Sequence, residues 1–167
     1  MIRSYQNSDR PSVDRLQQNL QQHFANVDTT HESLSYQSLE DAHLYMNQML
    51  EDVKTMNGAV YVAEQNNEIV GFIQGVIIEK KKGDDKIWDL THSARKEGWI
   101  GLLMVDESKR SGGVGSALLE KMTEYFKSQK CDCVRLLVLA DNVNSVEFYR
   151  KRGFVAHDVE MVKPLNS

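Results

Sequence analysis

Cysteine is scarce, with Cys131 and Cys133 alone in 167 residues. They stand as C-x-C at the entrance of an apolar run, and residues two apart on a strand share a face, so the pair is poorly placed to form a disulfide. No second Cys or His pair stands at ligand spacing, which leaves core or edge thiols in a reducing compartment and no expected metal site. The histidines at positions 23, 31, 43, 92 and 157 show no i, i+4 pair and no HExxH pattern, so structural or surface roles are expected of them. Long apolar runs are lacking too. Nowhere do 18 apolar residues follow one another, and the first residues, MIRSYQNSDRPSVDRL, carry no apolar leader segment, so a cytoplasmic protein without a membrane partner is expected. Basic charge is not in excess: the net charge of -4 argues against a nucleic-acid partner and suits a cationic substrate.

What is present fits one ordinary soluble domain over residues 1–167, with 41% hydrophobic and 26% charged residues. Residues 1–57 read as a helical segment and 58–163 as a sheet core. Residues 2–6 suit a short strand. Asp9 or Ser12 then caps a helix with Pro11 in its first turn and Val13, Leu16, Leu20 and Phe24 on one face. A second helix follows Ser38 and Asp41, a variant capping box, with Leu39, Ala42, Met46, Met49, Leu50 and Val53 as its apolar stripe. From Gly58 the texture turns to β, with a hairpin expected at Gln65-Asn66-Asn67. WIGLLMV (99–105) is apolar on both parities, as a strand covered on both faces should be. VRLLVLA (134–140) reads as another buried strand, and a closing strand or strand pair is expected within 154–163. The order β-α-α-β-β-β-α-β-α-β contains one βαβ unit, whose strands should lie parallel.

Between the two apolar strands lies KRSGGVGSALLEKM (109–122), with three glycines in four positions opening a helix marked by Val114, Ala117, Leu118, Met122, Tyr125 and Phe126. Glycine frees the backbone to present its N-H groups, and a helix N-terminus favours negative charge, so this loop suits a phosphate. A Walker loop is excluded, because Gly115 is followed by Ser116 and Ala117 rather than by Lys. A dinucleotide fingerprint is excluded as well: Leu118 stands where the third glycine belongs.

Arg110-x-x-Gly113-x-Gly115 after a strand ending at Val105 resembles the Q/R-x-x-G-x-G/A signature of the GNAT superfamily of acetyl-CoA-dependent N-acetyltransferases. A second signature reinforces it. Val138, Asn142, Ser145, Phe148, Tyr149, Gly153 and Phe154 fall where that family has V-x-x-x-N-x-x-A-x-x-F-Y-x-x-x-G-F, with Ser145 replacing alanine. The resemblance covers roughly residues 58–160. It departs from the family after the central strand, where Val105-Asp106-Glu107 replaces V-x-P.

The resemblance implies an α/β fold: a mixed, mostly antiparallel sheet with a splayed parallel strand pair and helices on both faces. It implies acetyl-CoA as cosubstrate and no metal. The pyrophosphate would rest on Arg110, Ser111, Gly112, Gly113, Val114, Gly115 and Ser116, and the pantetheine arm would pair with the backbone of Met104 and Val105 and meet Asn142 and Ser145. Tyr149 matches the family's general acid, a phenol protonated at neutral pH that donates to the departing thiolate. As general base the strand parity of Trp99, Gly101 and Leu103 offers Glu97, with Asp89 or a water chain as alternatives. The implied reaction is acetyl transfer to a primary amine by direct attack in a ternary complex. A small-molecule amine is favoured, with Asp28, Glu32, Glu40 and Asp41 as acidic residues suited to a cation. A protein N-terminus or lysine is the alternative acceptor, a non-catalytic acyl-CoA sensor is the alternative of another class, and a homodimer is compatible with the chain.

Overall fold

The computed structural model describes residues 1–28, 39–80, 95–161 and 163. Glu32, Ser38 and Asp89, and the side chains of Phe24, Leu39, Glu40 and Ala42, lie outside the described residues. Five strands form one sheet in the order β1 (Ile2–Ser4), β2 (Ala59–Gln65), β3 (Glu68–Lys80), β4 (Arg95–Val105), β5 (Cys133–Leu136). All neighbours are antiparallel except β4 and β5, which run parallel. The β2–β3 hairpin turns at Asn66 and Asn67, both at positive φ (51° and 62°), the conformation that a two-residue hairpin requires and that asparagine tolerates.

Helices α1 (Arg10–Val27) and α2 (Leu39–Thr55) cover one face of the sheet, burying Val13, Leu16, Leu20, Met46 and Met49 against Val62, Phe72, Leu102 and Met104. On the opposite face α3 (Val114–Ser128) buries Val114, Leu118, Leu119, Met122 and Phe126 against Ile73, Ile77 and Ile100. For Val13, Leu16, Leu20, Met46, Met49, Val114, Leu118, Met122 and Phe126 the spacing of three and four in the sequence therefore marks the buried face. Gly98 and Gly75 make room for Phe126: a Cβ on Gly98 would run into the Phe126 ring, and one on Gly75 would lie 2.7 Å from its Cζ. Before α1, Asp9 sits in a 3-10 turn (Asn7–Asp9), accepting from Gln6 N at 2.8 Å and pairing with Arg3 through both guanidinium ends at 2.7 and 2.8 Å.

Three expectations need correction. The strand expected over 134–140 spans Cys133–Leu136 alone, because pairing with β4 ends there; Leu137 is 81% exposed. No strand forms over 154–161, where Val155, Val159 and Met161 are exposed. Their spacing has strand character, but a strand exists only by backbone pairing, and among the described residues this segment makes none with the open outer edge of β5. Lastly, the strict alternation read along β4 is broken. The register with β3 shifts between Gln74 and Gly75, so Leu102 and Met104 join the α1/α2 face while Ile100, Leu103 and Val105 join the α3 face.

Candidate active site

The site begins where β4 and β5 part. Glu97 opposes Cys133 and Ile100 opposes Leu136, after which β5 ends while β4 continues to Val105. Residues 102–105 keep their antiparallel partner β3 on one edge, with Met104 opposite Phe72 and Val105 opposite Gly71, and among the described residues no strand lies on the other. Met104 is buried among the α1/α2 core residues and Val105 is half-buried on the other face, so what this stretch offers on its open edge is backbone.

The chain then passes through a 3-10 turn (Glu107–Lys109) into the glycine loop. Ser111 and Gly113 adopt positive φ (65° and 80°), and Gly113 is the residue from which α3 starts, with Ala117 N donating to its carbonyl at 3.0 Å. No side chain caps this helix, and the N-H groups of residues 111–116 find no acceptor among the described residues. A Cβ on Gly113 would meet nothing within 4 Å, so the space over the loop is open. Arg110 folds back, its Nε donating to Val105 O at 3.3 Å. A set of unpaired amides at a helix N-terminus with an arginine alongside fits the pyrophosphate of a nucleotide cofactor.

Helix α4 (Val143–Arg150) brings the remaining residues of the second motif. Asn142 is buried and caps α4, its Oδ1 accepting from Ser145 N at 3.3 Å, while its Nδ2 lies 3.4 Å from Nε2 of His23 on α1. Tyr149 is half-buried between Phe148 and Phe154, with ring centroids 5.1 and 5.4 Å away. Burial pushes its phenol up to about 12, and the hydroxyl has no hydrogen-bond partner among the described residues. Gly153, at φ 84°, ends the helix: Phe154 N returns to Tyr149 O at 3.2 Å and Gly153 N to Arg150 O at 3.1 Å, a closure that sets Phe154 against Tyr149.

Glu97 is where the structure and the sequence reading separate. It does share a face with Trp99, but it is fully buried and lies against three cations: Arg95, Arg135 (Nε–Oε1 3.2 Å) and Lys80 (Nζ–Oε2 3.9 Å). A carboxylate enclosed in this way is occupied by its own ion pairs. That placement speaks against the role of base, which strand parity could suggest but not test.

The sequence profile described as "Acetyltransferase (GNAT) family" matches residues 22–154. The chain belongs to that family. Among curated relatives, N-alpha-acetyltransferase 30 of Dictyostelium discoideum is 33% identical over 84 residues, covering 50% of this chain and 41% of that protein. The chain spans less than half the length of the curated relatives it matches. A mutant BH1408 protein from Bacillus halodurans superimposes with a TM-score of 0.80 at 21% identity, covering 99% of both chains. Aminoglycoside N-acetyltransferase AAC(6')-Iy in complex with CoA does so with a TM-score of 0.67 at 14% identity, covering 100% of both. At these identities the two structures show a shared GNAT fold.

A cleft of about 190 Å³ opens on the α1/α2 side of β4, lined by Tyr45, Gln48, Met49 and Asp52 of α2, Gln74 and Val76 of β3, and Trp99 and Gly101 of β4. A Cβ on Gly101 would run into Gln74 Oε1, so the carboxamide rests directly on the β4 backbone where the register shifts. Gln48 Nε2 donates to Asp52 Oδ1 at 2.8 Å. Sequence reasoning sought the acidic residues elsewhere: Asp28 is buried at the end of α1, Asp41 is half-buried on α2, and Glu32 and the Glu40 side chain lie outside the described residues. Asp52, Tyr45 and Trp99 were missed because no motif marks them; Tyr45 and Asp52 share a face of α2 two turns apart, and Trp99 joins them only across the fold. A second cavity, of about 320 Å³, lies beside the glycine loop between Met1, Ile2, Ala63, Glu64 and Gln65 on one side and Gly112, Gly113, Val114 and Ala117 on the other. Among the described residues, no group of His, Cys, Asp or Glu is arranged to hold a metal, and no helix is long and apolar enough to cross a membrane.

Proposed function

We propose that this GNAT protein moves an acetyl group from acetyl-CoA to the primary amine of a small molecule, by direct attack within a ternary complex. The observation that carries the reading is the parting of β4 from β5, which leaves the backbone of 101–105 open and leads straight into a loop of unpaired amides. Acetyl-CoA supplies the activated acyl group as a thioester. Residues 111–116, with Arg110, hold its pyrophosphate; the free edge of Met104 and Val105 pairs with its amide-bearing arm as an added strand would. Asn142 and Ser145 lie at the start of α4, where the arm passes.

Tyr149 supplies the proton that the departing sulfur takes as the new C-N bond forms and the C-S bond breaks. A phenol raised to about 12 is fully protonated at neutral pH, and a hydroxyl with no acceptor among the described residues keeps its hydrogen for the sulfur. Direct attack is favoured over an acyl-enzyme, since burial pushes the Cys131 thiol up, away from the thiolate a nucleophile needs. Glu97 serves by holding the strands together, and the ammonium proton leaves through water in the cleft. Asp52 with Tyr45 and Trp99 suits a cationic amine, and the cleft is smaller than the roughly 300–1,000 Å³ of drug-sized pockets, which favours a small amine. The relationship to an N-alpha-acetyltransferase supports a protein N-terminus as the second reading, with one residue entering the cleft.

The test is release of free thiol from acetyl-CoA against a panel of diamines, polyamines, aminoglycosides and N-terminal peptides. Turnover with a small amine supports the proposal, and turnover with peptides alone supports the second reading. Tight binding of acetyl-CoA with no turnover on any amine would make the protein a sensor.

A further inference from the structure

Arg152, just past α4, is held in an unusual setting. Its guanidinium lies over the Phe148 ring at 3.7 Å from the centroid, Nη1 donates to Phe148 O at 2.6 Å, and Nη2 donates to Ser116 Oγ in the first turn of α3. Phe148 in turn packs on the glycine loop, its Cζ 3.4 Å from where a Cβ on Gly115 would stand. Among the described residues Arg3, Arg10, Arg95, Arg110, Arg135 and Arg150 each lie against a carboxylate, and the exposed Arg15 on α1 does not. Arg152 has no carboxylate partner among the described residues. A cation stacked, without a counter-charge among the described residues, and tethered to Ser116, one residue beyond the loop's last glycine, is prepared for an anion.

We propose that Arg152 is the binding group for a phosphomonoester carried beside the pyrophosphate, namely the 3'-phosphate on the ribose of CoA. The inference rests on the acetyl-CoA reading above. The loop amides suit the pyrophosphate, which bridges two groups and sits on consecutive N-H donors. A separate dianionic phosphate needs its own cation, and a planar guanidinium with N-H groups still uncommitted matches its oxygens. Stacking on Phe148 fixes the plane in advance, so little side-chain freedom is lost on binding. Neither Arg152 nor Phe148 touches the atoms that react, so this is a specificity contact and not a catalytic one.

The experiment is calorimetric titration at low salt with two probes, acetyl-CoA and 3'-dephospho-acetyl-CoA, on the parent chain, Arg152→Met and Arg152→Lys. The parent should bind acetyl-CoA roughly tenfold or more tightly than the dephospho probe, the range of a charge-assisted hydrogen bond. Arg152→Met should lose that preference by weakening acetyl-CoA alone, and Arg152→Lys should keep part of it. Equal weakening of both probes in Arg152→Met would make Arg152 a structural tie between α4 and α3 and overturn the proposal. So would a parent that does not discriminate. A parent that binds neither probe would instead overturn the acetyl-CoA reading itself, and this proposal with it.

Discussion

Glu97 and Arg135 meet across the parallel strand pair, Arg135 Nε lying 3.2 Å from Glu97 Oε1 just before the strands part. The pair is one member of a larger group, with Arg95 and Lys80 on the same carboxylate and Asp158 3.6 Å from Arg135 Nη1. Removing the negative charge takes from three partly buried cations the fully buried carboxylate that they share, and breaking a buried pair costs about 3–5 kcal/mol. Glu97→Gln should therefore lower the unfolding free energy by roughly that amount. Its kcat/KM should follow the parent's pH profile in shape. A variant of near-parental stability whose activity recovers only at high pH would restore Glu97 as the base.

Tyr149→Phe keeps the ring between Phe148 and Phe154 and removes the hydroxyl alone. No protein hydrogen bond is lost among the described residues, so thermal stability should change little. With a cognate amine, kcat should fall by about 10²-fold, toward the lower end of what general acid catalysis contributes. Parental kcat in this variant would leave water as the acid and Tyr149 as packing.

The two glycines of the loop should respond differently. Gly113 stands at φ 80°, where a side chain costs about 1–2 kcal/mol, and its missing Cβ points into open space where the pyrophosphate is proposed to lie. Gly115 has room for a methyl group in ordinary contact with Phe148 and Val105. Gly113→Ala should weaken acetyl-CoA binding beyond its effect on stability, and Gly115→Ala should disturb stability little. Calorimetry beside thermal melting separates the two effects, and unchanged affinity in Gly113→Ala would remove the loop from the site.

Acid sensitivity should centre partly on Asp9. The hydrogen-bonded Arg3 guanidinium holds the Asp9 carboxyl below its usual range, with the Gln6 N-H assisting. A depressed value in the folded state means stabilisation that is present above the unfolded value of about 3.9 and lost as pH falls through the folded value. Asp9→Asn should thus be less stable than the parent at neutral pH, and the gap should narrow below about pH 4. Urea titrations at neutral and acid pH check this; a constant gap would refer the loss to packing.

The sequence by itself determined the elements and the two motifs. Helical spacing identified the buried faces of α1, α2 and α3, the Asn66-Asn67 turn followed from residue conformational preference, and Arg110-x-x-Gly113-x-Gly115 and Asn142 to Phe154 pointed to the family. These are local properties, fixed by neighbours along the chain. What only the tertiary structure decided depends on contacts between distant segments. Parity along β4 could place Glu97 on a face, but the register shift beside Gly75 and the convergence of Lys80, Arg95 and Arg135 decided that it is buried in ion pairs. Residues 137–140 and 154–161 have strand-like composition, yet a strand needs a paired partner: the parting of β4 from β5 withdraws it from 137–140, and 154–161 makes no backbone pairing with the outer edge of β5 among the described residues. Asp52 beside Trp99, and Arg152 beside Ser116, are meetings across the fold with no spacing that announces them, because side chains of separate elements become neighbours only once the sheet and helices have packed.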